Sequence, residues 1–206
     1  MTTARPGRPT AVWVAATAAA GTALCAWVVA PGGVGAAERA VFAAVNGWPD
    51  PLRWPLWTFQ LLGVLVVPLV VAAGALLLRR WRLAVALVLL VPAKLFVERE
   101  VVKALVRRER PGTTIPDAVL RGDVPSAGPS FPSGHAMIAF GVLTLLWPYL
   151  PRRWRAVVLA CAVLNSVARV YLGAHAPLDV VAGALAGVAV GALLTAAVGT
   201  TRRAGV

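Results

Sequence analysis

Three short stretches of the chain carry side chains able to act on an anion. The first holds Lys103, Arg107, Arg108 and Arg110. Lys103 and Arg110 are seven residues apart, two turns of helix, so a helix would set them on one face with Arg107 on the same stripe. At ~1.5 Å rise per residue they would stand roughly 10 Å apart. Pro111 biases Arg110 out of helical geometry and would end the helix there. Long cations at a helix mouth also arise as plain snorkelling side chains, so this pair alone does not establish a site.

The second stretch is Pro132-Ser133-Gly134-His135. Ser133 suits a helix cap, Gly134 lets backbone approach a ligand closely, and the free N–H groups of a helix start favour phosphate. Ordinary helix-start chemistry accounts for Ser133 and Gly134, but it leaves His135 without a reason. The third stretch holds Arg169, His175 and Asp179. Pro177 fits the first turn of a helix, where its missing N–H costs nothing. His175 then projects from the preceding turn, with Asp179 close enough along the chain to accept its ring N–H. A carboxylate so placed fixes the tautomer and leaves the other nitrogen free to attack. Asp179 also suits the first helical turn on dipole grounds alone. Arg169 inside an apolar stretch is expensive without a partner. The chain has only two histidines, and both sit beside these groups, which favours catalysis over a structural role.

The elements that must position these residues are membrane helices. Hydrophobic residues make up 59% of the 206 and charged residues 14%, and mean hydropathy is +0.78, which a soluble domain with a polar surface does not sustain. A net charge of +12 raises the question of nucleic acid. The cations, however, fall in short clusters between apolar runs rather than on one soluble face, so no nucleic-acid partner is expected. Cys25 and Cys161 lie inside apolar runs without metal-ligand spacing and read as packing residues.

Six stretches approach the roughly 20 apolar residues that a bilayer core requires: about 11–30, 55–78, 83–106, 134–150, 156–173 and 177–198. The expectation is an all-α polytopic bundle of six transmembrane helices forming one domain over 1–206, with tails at 1–10 and 199–206. The first stretch follows Arg5 and Arg8 and has the general form of a signal peptide, but its apolar run is long, which favours a retained anchor. Arg5 and Arg8, Arg79, Arg80 and Arg82, Arg152, Arg153 and Arg155, and Arg202 and Arg203 fall on alternate loops. By the positive-inside rule both termini are cytoplasmic, and loops 31–54, 107–133 and 173–176 face outside. Trp48, Trp54 and Trp57 suit interfacial anchors. Residues 38–46 read as a short amphipathic helix lying on the membrane, with Val41, Phe42 and Val45 toward lipid or protein. The Pro- and Gly-rich loop 107–133 is of a length usually kept for function. Lys103, Arg107, Arg108 and Arg110 break the charge rule by sitting on the outer side, which points to an anion site at the outer face of a plasma-membrane protein.

The three groups together resemble the signature of the type 2 phosphatidic acid phosphatase superfamily. That signature runs Lys-x6-Arg-Pro, Pro-Ser-Gly-His, then Ser-Arg-x5-His-x3-Asp. Here the groups read Lys103 to Pro111, Pro132 to His135, and Ala168 to Asp179. Order, spacing and the six-span layout fit over about residues 38–198; Ala168 stands where the family usually has serine, a supporting residue. The resemblance implies that His175 is the nucleophile forming a phosphohistidine, Asp179 orients it, and His135 protonates the leaving alcohol. It implies that Lys103, Arg110, Ser133, Gly134 and Arg169 hold the phosphoryl oxygens and that no metal or other cofactor is needed. The residues themselves agree on the last point, because no Asp/Glu cluster is visible that would hold two divalent ions. The expected substrate is a lipid phosphate or diphosphate: polyprenyl diphosphate, phosphatidate or phosphatidylglycerol phosphate. Membrane lipids are the expected surroundings, and no obligate protein partner is expected. Two other activities use the same groups: transfer of the phosphoryl group to an acceptor other than water, and lipid-phosphate binding or transport without chemistry. The last has no use for the two histidines.

Overall fold

The computed structural model describes residues 7–200. Ten helices follow one another: α1 (Arg8–Val29), α2 (Ala36–Asn46), α3 (Arg53–Gln60), α4 (Val66–Leu77), α5 (Trp81–Leu95), α6 (Lys103–Leu105), α7 (Pro111–Thr114), α8 (Gly134–Leu146), α9 (Arg152–Tyr171) and α10 (Pro177–Val198). Among the described residues there is no strand, only an isolated bridge between Glu109 and Pro129. The all-helical expectation holds. By length and apolarity three helices suffice to cross a membrane, α1, α9 and α10, and a fourth span is reached if α3 and α4 count as one bent unit. Large apolar side chains such as Trp13, Trp27, Val70 and Leu77 stand exposed along these helices, as a lipid-facing surface requires.

Lipid tails are as apolar as leucine, so helices in a bilayer gain little by hiding leucine and hold together instead by close packing of small residues. α10 shows this directly. It packs along α1, α8, α5 and α9, and a Cβ added at Gly183 or Gly187 would collide with the backbone of α8 at Ser133 or Met137. α1 answers with Ala11, Ala15, Ala18, Thr22 and Cys25, which recur every three or four residues and are buried. Arg8 Nε donates to the Ala196 carbonyl at 3.1 Å, while Cys25 and Val29 pack with Ala182 near the start of α10. α1 and α10 are therefore antiparallel, and the two described chain ends share one end of the bundle. Arg5, Arg202 and Arg203 lie outside the described residues.

Two spans depart from the sequence-based expectation. The run 55–78 is not one straight helix: α3 and α4 are bent by 65° at a turn of 3-10 helix, Leu61–Gly63, followed by extended Val64. Gly63 packs against the start of α8, where a Cβ would lie 2.6 Å from the His135 Cβ. The run 83–106 continues from α5 through a π-helical stretch, Phe96–Val102, into α6, and then stops, because Val106 is extended. Arg110 is therefore not on that helix. It precedes α7 in extended geometry, with Pro111 starting a new turn rather than ending an old one, so the predicted Lys103–Arg107–Arg110 stripe does not exist and Arg107 is exposed.

Candidate active site

At the end of the bundle opposite the chain termini, a cleft of about 560 Å³ opens between α3, the elbow after it, α5 with its π-helical extension, α8 and the turn before α10. Lys103, Arg110, Gly134, His135, Arg169 and His175 all line it. Six of the eight residues singled out in the sequence thus meet in one cavity. Ser133 and Asp179 lie behind the wall, both fully buried.

The turn that carries His175 is set by local chemistry. Gly173 has φ +79°, in the left-handed region that favours glycine, and a Cβ there would also press on the Val119 carbonyl at 2.6 Å. The N–H groups of Ala174 and His175 both donate to the Arg169 carbonyl, at 3.0 and 3.2 Å, closing the end of α9. α10 then begins with Pro177 in its first turn, and Asp179 Oδ2 accepts the N–H of Ala176 at 2.9 Å, an acid in the first turn reaching back over the helix start. Ser130 Oγ donates to the same oxygen at 2.6 Å, and Arg108 Nη1 donates to Oδ1 at 2.9 Å. His175 Nδ1 stands 3.6 Å from Asp179 Oδ2 and has no other partner. Burial holds His175 down at about 4; Asp179 pulls the other way, and the charges of Arg169 and Arg110 add to the depression. At neutral pH the ring is therefore uncharged.

The cations are held by different means. Glu98 Oε1 accepts from Lys103 Nζ at 2.7 Å, while its other oxygen pairs closely with Lys94. In an α-helix residues 98 and 103 would be about 140° apart around the axis. The π-helical stretch, with its wider turn, brings them onto one side. A Cβ at Gly134 would lie 2.7 Å from Lys94 Nζ and 2.8 Å from Glu98 Oε1, so glycine there admits this buried ion cluster beside the start of α8. Arg110 Nη1 donates to the Ala174 carbonyl at 2.8 Å, one residue before His175, and burial lowers the pKa of its guanidinium. Arg169 makes a very short hydrogen bond to Gln60 Oε1, and its buried Nε has no partner. Ser133 occupies the cap position of α8 without making a capping bond, and its hydroxyl is also unpartnered.

Over the cleft, the loop bearing Asp123, Val124 and Pro125 is clamped from behind. Arg121 donates to Asp50, to the Asn46, Trp48 and Tyr171 carbonyls, and stacks 4.3 Å over the Tyr171 ring. Asn46 exchanges two hydrogen bonds with Val119, at 2.9 and 2.8 Å. Trp57, expected only as an interfacial anchor, lines the cleft. Ala168 is wholly buried against Leu56, Tyr171 and Leu172, an apolar setting for a methyl group. Sequence reasoning missed Gln60, Lys94, Glu98, Glu38 and Ser130, and it read Arg108 only as one of four outward cations rather than as the partner of Glu38 and Asp179. Lys94 and Glu98, an i,i+4 pair of charges inside an apolar run, carried a visible signal; Gln60, Glu38 and Ser130 carried none. Among the described residues no group of three or more His, Cys, Asp or Glu side chains gathers as metal ligands do.

A family model described as the PAP2 superfamily matches residues 79–203, more than half the chain and all three motif groups. The chain belongs to the PAP2 superfamily. Over 61 residues it is 45% identical to a lipid A 1-phosphatase of Rhizobium johnstonii, covering 28% of this chain and 23% of that protein. Over 59 residues it is 49% identical to an undecaprenyl-diphosphatase of Sulfolobus acidocaldarius, covering 28% of each. The matched segments thus span about a quarter of these relatives' length. Among solved structures, a transmembrane PAP2-type phosphatidylglycerolphosphate phosphatase from Bacillus subtilis superposes with a TM-score of 0.69 at 20% identity, covering 89% of this chain and 94% of that one. LpxE from Aquifex aeolicus gives 0.61 at 24% identity, covering 78% and 95%. The fold is that of these PAP2 proteins, and with its apolar helices the chain is a multi-pass membrane protein.

Proposed function

We propose that the chain hydrolyses a lipid phosphate or diphosphate without a metal, through a phosphohistidine on His175. The observation that carries this reading is the single cleft in which Lys103, Arg110, His135, Arg169 and His175 converge from separate segments of the chain. Phosphoryl transfer asks chiefly for positioning and for charge around the equatorial oxygens. Lys103, Arg110 and Arg169, with the backbone at Gly134, line the cleft for that, and the unpaired Ser133 hydroxyl lies just behind them at the same helix start. With Nδ1 turned to Asp179, His175 Nε2 attacks phosphorus as the bond to the leaving oxygen breaks, and His135 gives that oxygen its proton. Water, losing a proton to His135, then attacks phosphorus; the P–N bond breaks, releasing phosphate and neutral His175.

The lipid nature of the substrate is supported by the cleft's walls, where Leu61, Val64, Leu65 and Leu95 continue from the charged end toward the elbow of the bent span. A head group bound among the cations would leave its tail along these side chains. Relatives named for lipid A and undecaprenyl diphosphate point to the same substrate class. The membrane arrangement completing this reading has six spans: α1, bent α3–α4, α5 with its extension, α8, α9 and α10. α2 lies at the interface, both termini are cytoplasmic, and the cleft faces outside. Full-length protein in nanodiscs, given polyprenyl diphosphate, phosphatidate and phosphatidylglycerol phosphate, is expected to release phosphate from at least one. His175→Ala is expected to lose that release, and undiminished turnover in this variant would sink the mechanism.

A further inference from the structure

Arg108 sits two residues before the motif arginine Arg110 and yet takes no part in the cleft lining. It is 1% exposed, which for a guanidinium demands partners; both terminal nitrogens have them, while the buried Nε has none. Nη1 donates to Asp179 Oδ1 at 2.9 Å and to Glu38 Oε1 at 3.1 Å; Nη2 donates to Glu38 Oε2 at 2.5 Å and to the Gly33 carbonyl at 3.4 Å. Glu38 in turn accepts the Leu178 N–H at 2.8 Å, which fixes α2 to the first turn of α10. One guanidinium thus joins two buried carboxylates, one of which lies beside the proposed nucleophile. The charge sum is decisive: Glu38 and Asp179 carry two negative charges and Arg108 one positive, so one net negative charge remains behind His175.

We propose that Arg108, held in place by Glu38, is a positioning residue for the Asp179–His175 pair. It aims the Asp179 carboxylate and limits the negative charge behind the imidazole to one. The proposal rests on the reading of His175 as nucleophile. An imidazole that accepts a phosphoryl group becomes cationic, and a single uncompensated carboxylate charge suits that change. Two such charges would instead recruit a proton to the free ring and block attack. The Arg108 guanidinium itself is disfavoured by burial, but its hydrogen bonds to Glu38 and the charge of Asp179 outweigh this and hold its pKa above the ordinary value.

The other groups facing His175 are Asp179 from α10, Arg169 from α9, Arg110 from the segment before α7, and His135 from α8. Of these only His135 is altered, to glutamine, and identically in every protein whose titration is compared. The chain has only two histidines, so in a His135→Gln background the imidazole NMR signal of the full-length protein reports His175 alone, with or without turnover. Arg108→Gln is expected to raise the His175 titration midpoint by about one pH unit or more. Adding Glu38→Gln, which restores the single net charge, is expected to bring it back. With His135 present, Arg108→Gln is expected to lower kcat about 10- to 100-fold with KM for the lipid phosphate little changed. An unmoved midpoint in folded Arg108→Gln protein, or a raised KM with kcat intact, would overturn the proposal. If Arg108→Gln does not fold, Arg108→Lys and Glu38→Gln decide. The lysine is expected to keep the midpoint and lose kcat, and Glu38→Gln to lower the midpoint; unchanged midpoint and kcat in both overturns it. Absence of turnover in the unaltered enzyme counts against the hydrolase reading, while the titration still tests the charge arrangement.

Discussion

Three side chains at or behind the site make predictions of their own. His175 is neutral above about 4, its pKa depressed by burial first and by neighbouring arginines second. Its folded-state pKa lies below the unfolded value of about 6.5. The unfolded chain therefore takes up a proton that the folded one refuses, and stability present above pH 6.5 is lost as pH falls toward 4. The same value places the acid limb of kcat/KM near pH 4 rather than near 6.5; a limb near 6.5 would show that His175 is not the titrating nucleophile. Glu98 occupies two lysines that a phosphate would otherwise engage. Glu98→Gln is expected to bind orthovanadate about 3- to 10-fold more tightly, because removing a nearby negative charge favours an anion. It is also expected to melt at lower temperature, because two buried ammonium groups lose their partner. Equal vanadate inhibition of the two proteins would remove Glu98 from the anion site. At Ala168 the apolar surroundings predict that serine brings no catalytic gain: Ala168→Ser should leave kcat/KM unchanged and cost about 1 kcal/mol or less in stability.

At the scale of elements, position is controlled where backbones touch. Gly63 lets the elbow after α3 rest on the first turn of α8, and no side chain fits between them. Gly63→Ala is expected to push the elbow from His135 and lower kcat by about 10-fold or more, whereas Gly74→Ala, at a position with open space around it, is expected to leave kcat unaltered. Assay of both purified variants on one lipid phosphate makes the comparison. α9 grips the same elbow from its other side: Asn165 Nδ2 donates to the Phe59 and Gln60 carbonyls, at 3.1 and 3.0 Å, one turn from Arg169. The bent α3–α4 unit is thus pinned at both faces, so its 65° bend is fixed backbone rather than loose chain.

For the whole molecule, both described chain ends lie at one end of the bundle and the cleft at the other. With the basic loops on the cytoplasmic side, a single cysteine at Asp117 in a chain lacking Cys25 and Cys161 should react with a membrane-impermeant maleimide in intact cells. A single cysteine at Arg153 should react only after the membrane is opened. The reverse pattern would invert the topology and place the cleft inside.

The alternation of apolar runs and basic clusters was enough to place α1, α8, α9 and α10 within a few residues, because a bilayer imposes one length and one composition on a span, but not to see the breaks inside the runs 55–78 and 83–106. Motif spacing was enough to nominate Lys103, Arg110, Gly134, His135, Arg169 and His175, since each sits at a helix end whose local chemistry is readable: a glycine turn, a proline start, a capping position. Extrapolation of regular helix failed. The Lys103–Arg110 stripe dissolved because α6 ends at Leu105, and Lys103 reaches Glu98 through a π-helical turn that no α-helical periodicity predicts. Long-range pairing was equally closed to the sequence. Glu38 and Arg108 lie 70 residues apart, and Gln60 and Arg169 lie 109 apart. Their partnership follows only from which helices pack together. Local chemistry thus nominated residues that the fold gathers at one cleft, while tertiary packing decided which charges stand in the cleft and which stand behind it.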